Sequence, residues 1–158
     1  LNNAGQNFSG AISKEGANLL TIYCNDSLAN LNSTSVSFFV DSVAPNVNID
    51  IPESKVYGRN TSLELNFSVS DVGSGVQSCW YKLDNGNNIT LTNCQNTTFN
   101  ATEGNHVIYV YANDSLGNLG FSSKSFSVIT TAPALNLLYP SDNYYINYPY
   151  FRKNGGSQ

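Results

Sequence analysis

Tyr111-Ala-Asn-Asp-Ser-Leu-Gly-Asn118 has a second copy in the chain, Tyr23-Cys-Asn-Asp-Ser-Leu-Ala-Asn30, displaced by 88 residues. The register holds without a gap when Glu15 to Pro52 is laid over Glu103 to Pro140, and 17 of the 38 paired positions are identical. Among them are Glu-Gly, Asn-Asp-Ser-Leu, and Ala44-Pro45 against Ala132-Pro133. A repeat of this length means that one compact unit is copied along a longer protein. Working outward from it, residues 45–132 form a complete unit, 1–44 the rear part of a preceding one, and 133–158 the front part of a following one. Eighty-eight residues suit a small two-layer domain with a modest core.

Composition narrows the setting. Charged residues make up 11% of the chain, whereas Asn, Ser and Thr account for 54 of 158 positions. The hydrophobic share of 41% comes in short runs, which argues against disorder. The net charge of −4 is dispersed and seven Lys and Arg residues form no basic stripe, so nucleic acid is excluded as a partner class. No apolar run reaches the length of a membrane-crossing segment. Nine Asn-X-Ser/Thr sequons occur, at Asn7, Asn25, Asn32, Asn60, Asn66, Asn88, Asn96, Asn100 and Asn113. Together with the low charge and cysteines at hairpin spacing, they point to an exported surface carrying N-linked glycans. Asn25 and Asn113 lie in the recurrent turn, where structural duty competes with glycosylation.

Strands are legible from alternation and turn residues. Leu19 to Cys24 and a run through Phe38 and Val40 flank the first turn, and Asp41 to Pro45 is an extended linker, because the residue before proline is pushed to extended geometry. Within the complete unit seven strands are expected: 47–51, 62–70, 76–83, 89–94, 97–101, 106–112 and 121–129. In the second, Leu63, Leu65, Phe67 and Val69 share one face, and Asn66 points to water on the other. Asp71-Val-Gly-Ser-Gly75 reads as a loop and Asp84-Asn-Gly86 as a hairpin turn. With no helical period anywhere, the expected fold is an all-β, immunoglobulin-like antiparallel sandwich, repeated in tandem.

Asp-x-Gly-Ser-Gly-Val from Asp71, Cys-Trp-Tyr-x-Leu-Asp from Cys79, Cys94, Glu-Gly-x-His from Glu103 and the Tyr111–Asn118 stretch together resemble immunoglobulin-like repeats of archaeal and bacterial surface proteins. The resemblance covers residues 46–132 fully and 15–44 as the end of a preceding repeat. It implies an extracellular structural repeat building a stalk, surface layer or filament on a prokaryotic, archaeal cell. The competing implication is an adhesin module that grasps glycan through exposed aromatics and loops.

Individual residues fit that frame. Cys79 and Cys94 flank the Asp84–Gly86 turn and suit a cross-strand disulfide, since one His and three Cys offer no zinc spacing. Cys24 shares parity with Leu20 and Ile22 and is expected to face a core, its partner belonging to the front of the preceding unit. Asp114 reads first as a turn-holding carboxylate, because Asp26 repeats it. Nevertheless the loops at Asp71 and Asp114 and the linker at Asp41 should meet at one end of a sandwich, and three carboxylates there suit Ca²⁺. No other cofactor is implied. No catalytic triad, paired-carboxylate motif or phosphate-binding loop occurs, so an enzyme is not expected; His106 aligns with Asn18 and carries no mark of an acid or base. Trp80 has two readings, outward beside Tyr109 and Tyr111 as a contact surface, or inward as a core tryptophan. Finally, Leu20, Ile22, Phe38 and Val40 in the rear part, and Leu135, Leu137 and Tyr139 in the front part, lack a facing sheet. Adjoining repeats or other copies of the protein are therefore the expected partners.

Overall fold

The computed structural model describes residues 13–136. Asn7, Leu137 and Tyr139, and with them most of the front part at 133–158, lie outside the described residues. Among the described residues ten strands are formed: β1 (Gly16–Asn25), β2 (Leu31–Val40), β3 (Asn46–Ile51), β4 (Val56–Tyr57), β5 (Leu63–Ser70), β6 (Val76–Leu83), β7 (Ile89–Leu91), β8 (Thr97–Phe99), β9 (Gly104–Asp114) and β10 (Leu119–Val128). β1 and β2 make a two-stranded hairpin; β3–β10 divide into a five-stranded sheet, β4-β10-β9-β6-β7, and a three-stranded sheet, β3-β5-β8.

These two sheets form a sandwich because each strand alternates. β9 places His106, Ile108, Val110, Ala112 and Asp114 inward, and β5 places Leu63, Leu65 and Phe67 against them. Cys79, Tyr81, Phe126 and Val128 complete the five-stranded wall, and Val47, Ile49 and Phe99 the opposite one. Phe126 is the aromatic hub, edge-on to Tyr57 at 5.9 Å and to Phe99 at 5.7 Å between ring centroids. Each such apolar side chain taken from water contributes about 1.5–3 kcal/mol, offset by the entropy of ordering the chain.

Within the complete unit, several features differ from the sequence reading. β4 was not expected, and it pairs parallel with β10 through Ser127↔Val56 and Val128↔Tyr57, whereas every other pairing is antiparallel. A two-residue strand offers no periodicity to read. The strand through Ile89 ends at Leu91, because Thr92–Cys94 turns as a short 3₁₀ segment with Asn93 and Cys94 at positive φ. β8 stops at Phe99, where the Asn100 side chain accepts from Ser62 N at 3.0 Å. Asn66 is outward but half-buried, with Nδ2 3.4 Å from Glu64 Oε2.

The hairpin reproduces β9–β10 pair for pair. Gly16↔Val40 through Asn25↔Leu31 matches Gly104↔Val128 through Asn113↔Leu119 at the same 88-residue displacement. Even the clamp that closes its base recurs: Glu15 accepts from Ser42 N at 3.1 Å, and Glu103 from Thr130 N at 2.8 Å. Cys24, expected to face a core, is exposed, because among the described residues no second sheet lies over the hairpin.

Candidate functional site: a carboxylate junction and an aromatic row

The turn that repeats is built by its aspartate. Asp114 Oδ1 accepts from Leu116 N at 2.9 Å and Asn118 N at 2.8 Å, while Oδ2 accepts from Asn118 Nδ2 at 2.7 Å. Asp26 makes the same three bonds, to Leu28 N, Asn30 N and Asn30 Nδ2, at 2.9, 2.9 and 2.7 Å. Gly117 takes φ +91°, and its counterpart Ala29 is held at +68° despite its Cβ. The aspartate thus dictates the turn with or without glycine. Asp114 is fully buried, which opposes ionisation, yet bonds from the Asn118 side chain and from the Asn118, Leu116 and Gly117 amides hold its carboxyl below the usual value.

Around this turn the linker is locked to the complete unit. Asp41 is 8% exposed; its Oδ2 accepts from Ser74 N at 2.6 Å and its Oδ1 from Val43 N at 3.1 Å. Its backbone carbonyl accepts from Asn118 Nδ2 at 3.0 Å. Two glycines let the linker approach this closely. A Cβ on Gly73 would overlap the Asp41 carboxyl group, and one on Gly120 would overlap the Pro45 carbonyl oxygen. Neither close approach can be read from periodicity, since both depend on where the linker lies.

One carboxylate oxygen each from Asp41, Asp71 and Asp114 come within 4.8 Å of one another. Asp71 Oδ2 accepts from Gly73 N at 3.0 Å and Gly75 N at 2.7 Å, whereas Asp71 Oδ1 is buried without a hydrogen-bond partner. An all-oxygen, carboxylate-rich set fits a hard divalent cation in donor chemistry. The backbone amides that donate to these carboxylates already offset part of the charge, however, and Asp26 builds the same turn through the same bonds.

The outer face of the five-stranded sheet carries a second set of aromatic side chains. Trp80, Tyr111 and Phe121 are registered neighbours on β6, β9 and β10, so one row crosses three strands. Trp80 stacks on Tyr111 at 5.6 Å and 7°, Tyr111 on Phe121 at 5.6 Å and 29°, and Tyr109 lies 6.3 Å from Tyr111. Lys82 Nζ sits 5.3 Å over the Tyr109 ring. The outward alternative for Trp80 is therefore the observed one. Phe121, 62% exposed, extends the row and was not singled out from sequence, although its alternation with Gly120 placed it outward. Tyr111 is stacked from both sides and Trp80 and Phe121 each from one, a mutual contact that suits cross-strand cohesion.

His106, whose alignment with Asn18 marked it as neither acid nor base, is held by two polar partners. Its Nδ1 lies 2.7 Å from Asp84 Oδ2 and its Nε2 2.9 Å from the Thr102 carbonyl oxygen. Burial disfavours the charged ring, but the bonds to Asp84 and Thr102 outweigh it and raise the His106 pKa. Burial likewise opposes ionised Asp84, and His106 with the Val107 amide outweighs it, so that carboxyl is lowered. The His106 contribution is complete below its unfolded pKa of about 6.5 and is lost as pH rises through the raised value; the Asp84 contribution is present above about 3.9 and is lost as pH falls through the lowered value. With the Asp84 side chain 43% exposed, solvent limits the pair to about 1 kcal/mol. Urea unfolding should therefore show a larger gap between the parent and His106→Gln at pH 5.5 than at pH 8.5; an equal or reversed gap would refute the pairing.

The sequons are placed unevenly. Asn25, Asn32, Asn60, Asn88, Asn96 and Asn100 are exposed. Asn96 and Asn100 are tied to Phe67 N and Ser62 N through their side-chain oxygens, not through the nitrogen a glycan would occupy. Asn113 differs: its Oδ1 accepts from Ser78 Oγ and its Nδ2 donates to Gln77 Oε1 at 3.1 Å, so it serves the fold. Cys79 is bonded to Cys94, across a sequence separation of 15.

No protein-family model matches the chain. It is similar to a halomucin of Haloquadratum walsbyi (strain DSM 16790 / HBSQ001), 31% identical over 102 residues. That match covers 61% of this chain and 1% of the halomucin, so the chain spans a very small part of that relative. Among solved structures it is similar to one of Clostridium thermocellum CbhA fibronectin(III)-like modules, at 24% identity and a TM-score of 0.44, covering 52% of this chain and 96% of that one.

Proposed function

We propose that the chain is a structural segment of an extracellular, cell-surface protein, in which immunoglobulin-like units follow one another to build a stalk or filament. The carrying observation is the buried Asp41. It belongs to the linker but is bonded to Ser74 and Asn118 of the following unit, so the linker is fixed to that unit. The likeness to a halomucin, the disulfide and the exposed sequons support an extracellular setting. No catalytic step is assigned to any residue in this reading.

Two further parts of the reading concern ligands. N-linked glycans occupy Asn60 and Asn88 in the loops and Asn66 on the outer face of β5; glycopeptide mapping of native material should find them, and bare asparagines at all three would remove this part. Ca²⁺ binds among Asp41, Asp71 and Asp114, with Asp71 Oδ1 the oxygen left for it. In that case Ca²⁺ at 100-fold its dissociation constant adds about 2.7 kcal/mol to stability. Chelation should then lower the melting temperature of the parent but not of Asp71→Asn, and an unchanged parent would exclude the ion.

The second reading, a glycan-binding adhesin module, is favoured by the outward-facing row of Trp80, Tyr111 and Phe121, of which Phe121 is exposed. A glycan array probed with the 158-residue chain separates the two. No specific binding is expected; specific binding abolished by Trp80→Ala would replace the structural reading with the adhesin one.

A further inference from the structure

Buried His106 has a hydrogen-bond acceptor on each ring nitrogen. Nδ1 faces Asp84 Oδ2 at 2.7 Å, and Nε2 faces the Thr102 carbonyl oxygen at 2.9 Å. Neither a carbonyl oxygen nor an ionised carboxylate can donate, so both bonds together require a hydrogen on each nitrogen, the imidazolium form. Asp84 is pinned independently of the ring. Its Oδ1 accepts from Val107 N at 2.8 Å, and its own N donates to the Val107 carbonyl oxygen at 2.8 Å. When the ring loses a proton, the remaining hydrogen therefore stays on Nδ1 against the carboxylate, and Nε2 turns a lone pair toward Thr102. The bond that is lost is the one to Thr102.

Thr102 adjoins Glu103, whose carboxylate accepts from Thr130 N at 2.8 Å, from Thr130 Oγ1, and from Thr131 Oγ1 at 3.1 Å. Glu103 thus holds the chain where it leaves β10. The hairpin carries the same fastening without a titrating group. At the 88-residue displacement Asn18 replaces His106 and Lys14 replaces Thr102. Asn18 Nδ2 donates to the Lys14 carbonyl oxygen at 2.7 Å, beside the bond from Ser42 N to Glu15. An amide donates at any pH, whereas the His106 ring, with a carboxylate on its other side, serves both partners only while doubly protonated. We infer that His106 is a proton-dependent latch at the exit of the complete unit. Protonated, it ties the Thr102–Glu103 corner to the Asp84 turn; deprotonated, it frees that corner and loosens the hold of Glu103 on Thr130 and Thr131. The neighbouring charges agree with this role. Asp84, from the β6–β7 turn, is the carboxylate against the ring, and Glu103 is engaged by the two threonines. Lys55, ahead of β4, borders the same cleft but is paired with Glu53 at 3.2 Å; Tyr57 accepts from Glu53 N, and β10 presents the uncharged Phe126 ring at 5.5 Å. Burial opposes the charged ring and the two bonds outweigh it, so the latch is complete below about 6.5 and opens as pH rises through the raised pKa.

The inference goes beyond the structural reading, which depends on Asp41 to Ala44 and not on Thr130, so either can fail alone. Ring-nitrogen chemical shifts of His106 in the 158-residue chain, followed from about pH 5 to about pH 9, test the protonation directly. Both nitrogens should carry hydrogens at the acid end and Nδ1 alone at the alkaline end, with a midpoint above about 6.5. Across that midpoint, solvent exchange of the Thr130 amide relative to the Ser42 amide is expected to rise at least about 10-fold, because the Ser42 clamp lies beside Asn18. The ratio, taken in one sample, cancels the base catalysis common to both amides. Asp84→Asn should abolish the effect. Its side-chain oxygen still accepts from Val107 N, its nitrogen donates to Nδ1, and a neutral ring with its hydrogen on Nε2 then satisfies both partners. In that variant the midpoint should fall below about 6.5 and the exchange ratio should stay flat. A singly protonated ring at the acid end of the parent overturns the inference. So does a Thr130-to-Ser42 ratio that is constant with pH in the parent, or as pH-dependent in Asp84→Asn as in the parent.

Discussion

Replacing both Cys79 and Cys94 by alanine is expected to lower the unfolding free energy of the complete unit by about 3 kcal/mol and its midpoint by roughly 15 °C. The bridge closes a loop of sequence separation 15, and its loss returns that loop's freedom to the unfolded chain. Structure around it gives little compensation. β7 is three residues long and pairs only with β6, and the 3₁₀ turn after it holds Asn93 and Cys94 at positive φ. Cys79 is fully buried, so its truncation also leaves unfilled space beside Leu91 and Ala112. Thermal unfolding with and without reductant, compared with the double variant, measures the effect. A loss below about 1 kcal/mol would mean that Leu91 and its neighbours hold this edge unaided.

Gly120→Val is expected to destabilise the unit by about 2 kcal/mol and to release the linker. Gly120 lies on β10 with its missing side chain aimed at the Pro45 carbonyl oxygen, so a β-branched residue cannot be housed while the linker stays in place. Either β10 shifts against β9 or Asp41 to Pro45 lifts away, and the second costs only the bonds to Ser74 and Asn118. Limited proteolysis should then cut the variant in 41–44 while leaving the parent intact there. Uncut linker together with parent-like stability would show that the close approach is not a constraint. Asn32 stands at the equivalent position of the preceding unit and Ile129 replaces Asp41 in the following linker, so neither flanking junction has the residues to copy this one.

Much of the sandwich was legible because burial here follows alternation. Leu63, Leu65 and Phe67, and Ile108, Val110 and Ala112, sit inward as their parity demands. The carboxylate junction was legible because Asp41, Asp71 and Asp114 all lie at ends of strands that a sandwich must bring to one edge. What escaped depended on contacts between segments far apart in sequence. β4 is defined only by its partner β10, and the role of Gly120 only by the path of Pro45. His106 shares parity with Ile108 and so belonged inside, but its partner Asp84 is in a turn whose side-chain direction no pattern reports. Cys24 shows the reverse case: its parity is that of a core residue, and the sheet that would bury it is not among the described residues.

The central claim is that the linker forms one rigid body with the unit it enters. Amide relaxation of Asp41, Ser42, Val43 and Ala44 in the 158-residue chain tests it most directly. The account predicts order parameters of about 0.85, equal to those of β9 in the sheet centre, falling in Gly120→Val. Values below about 0.6 in the parent would describe a free tether between units and would contradict it.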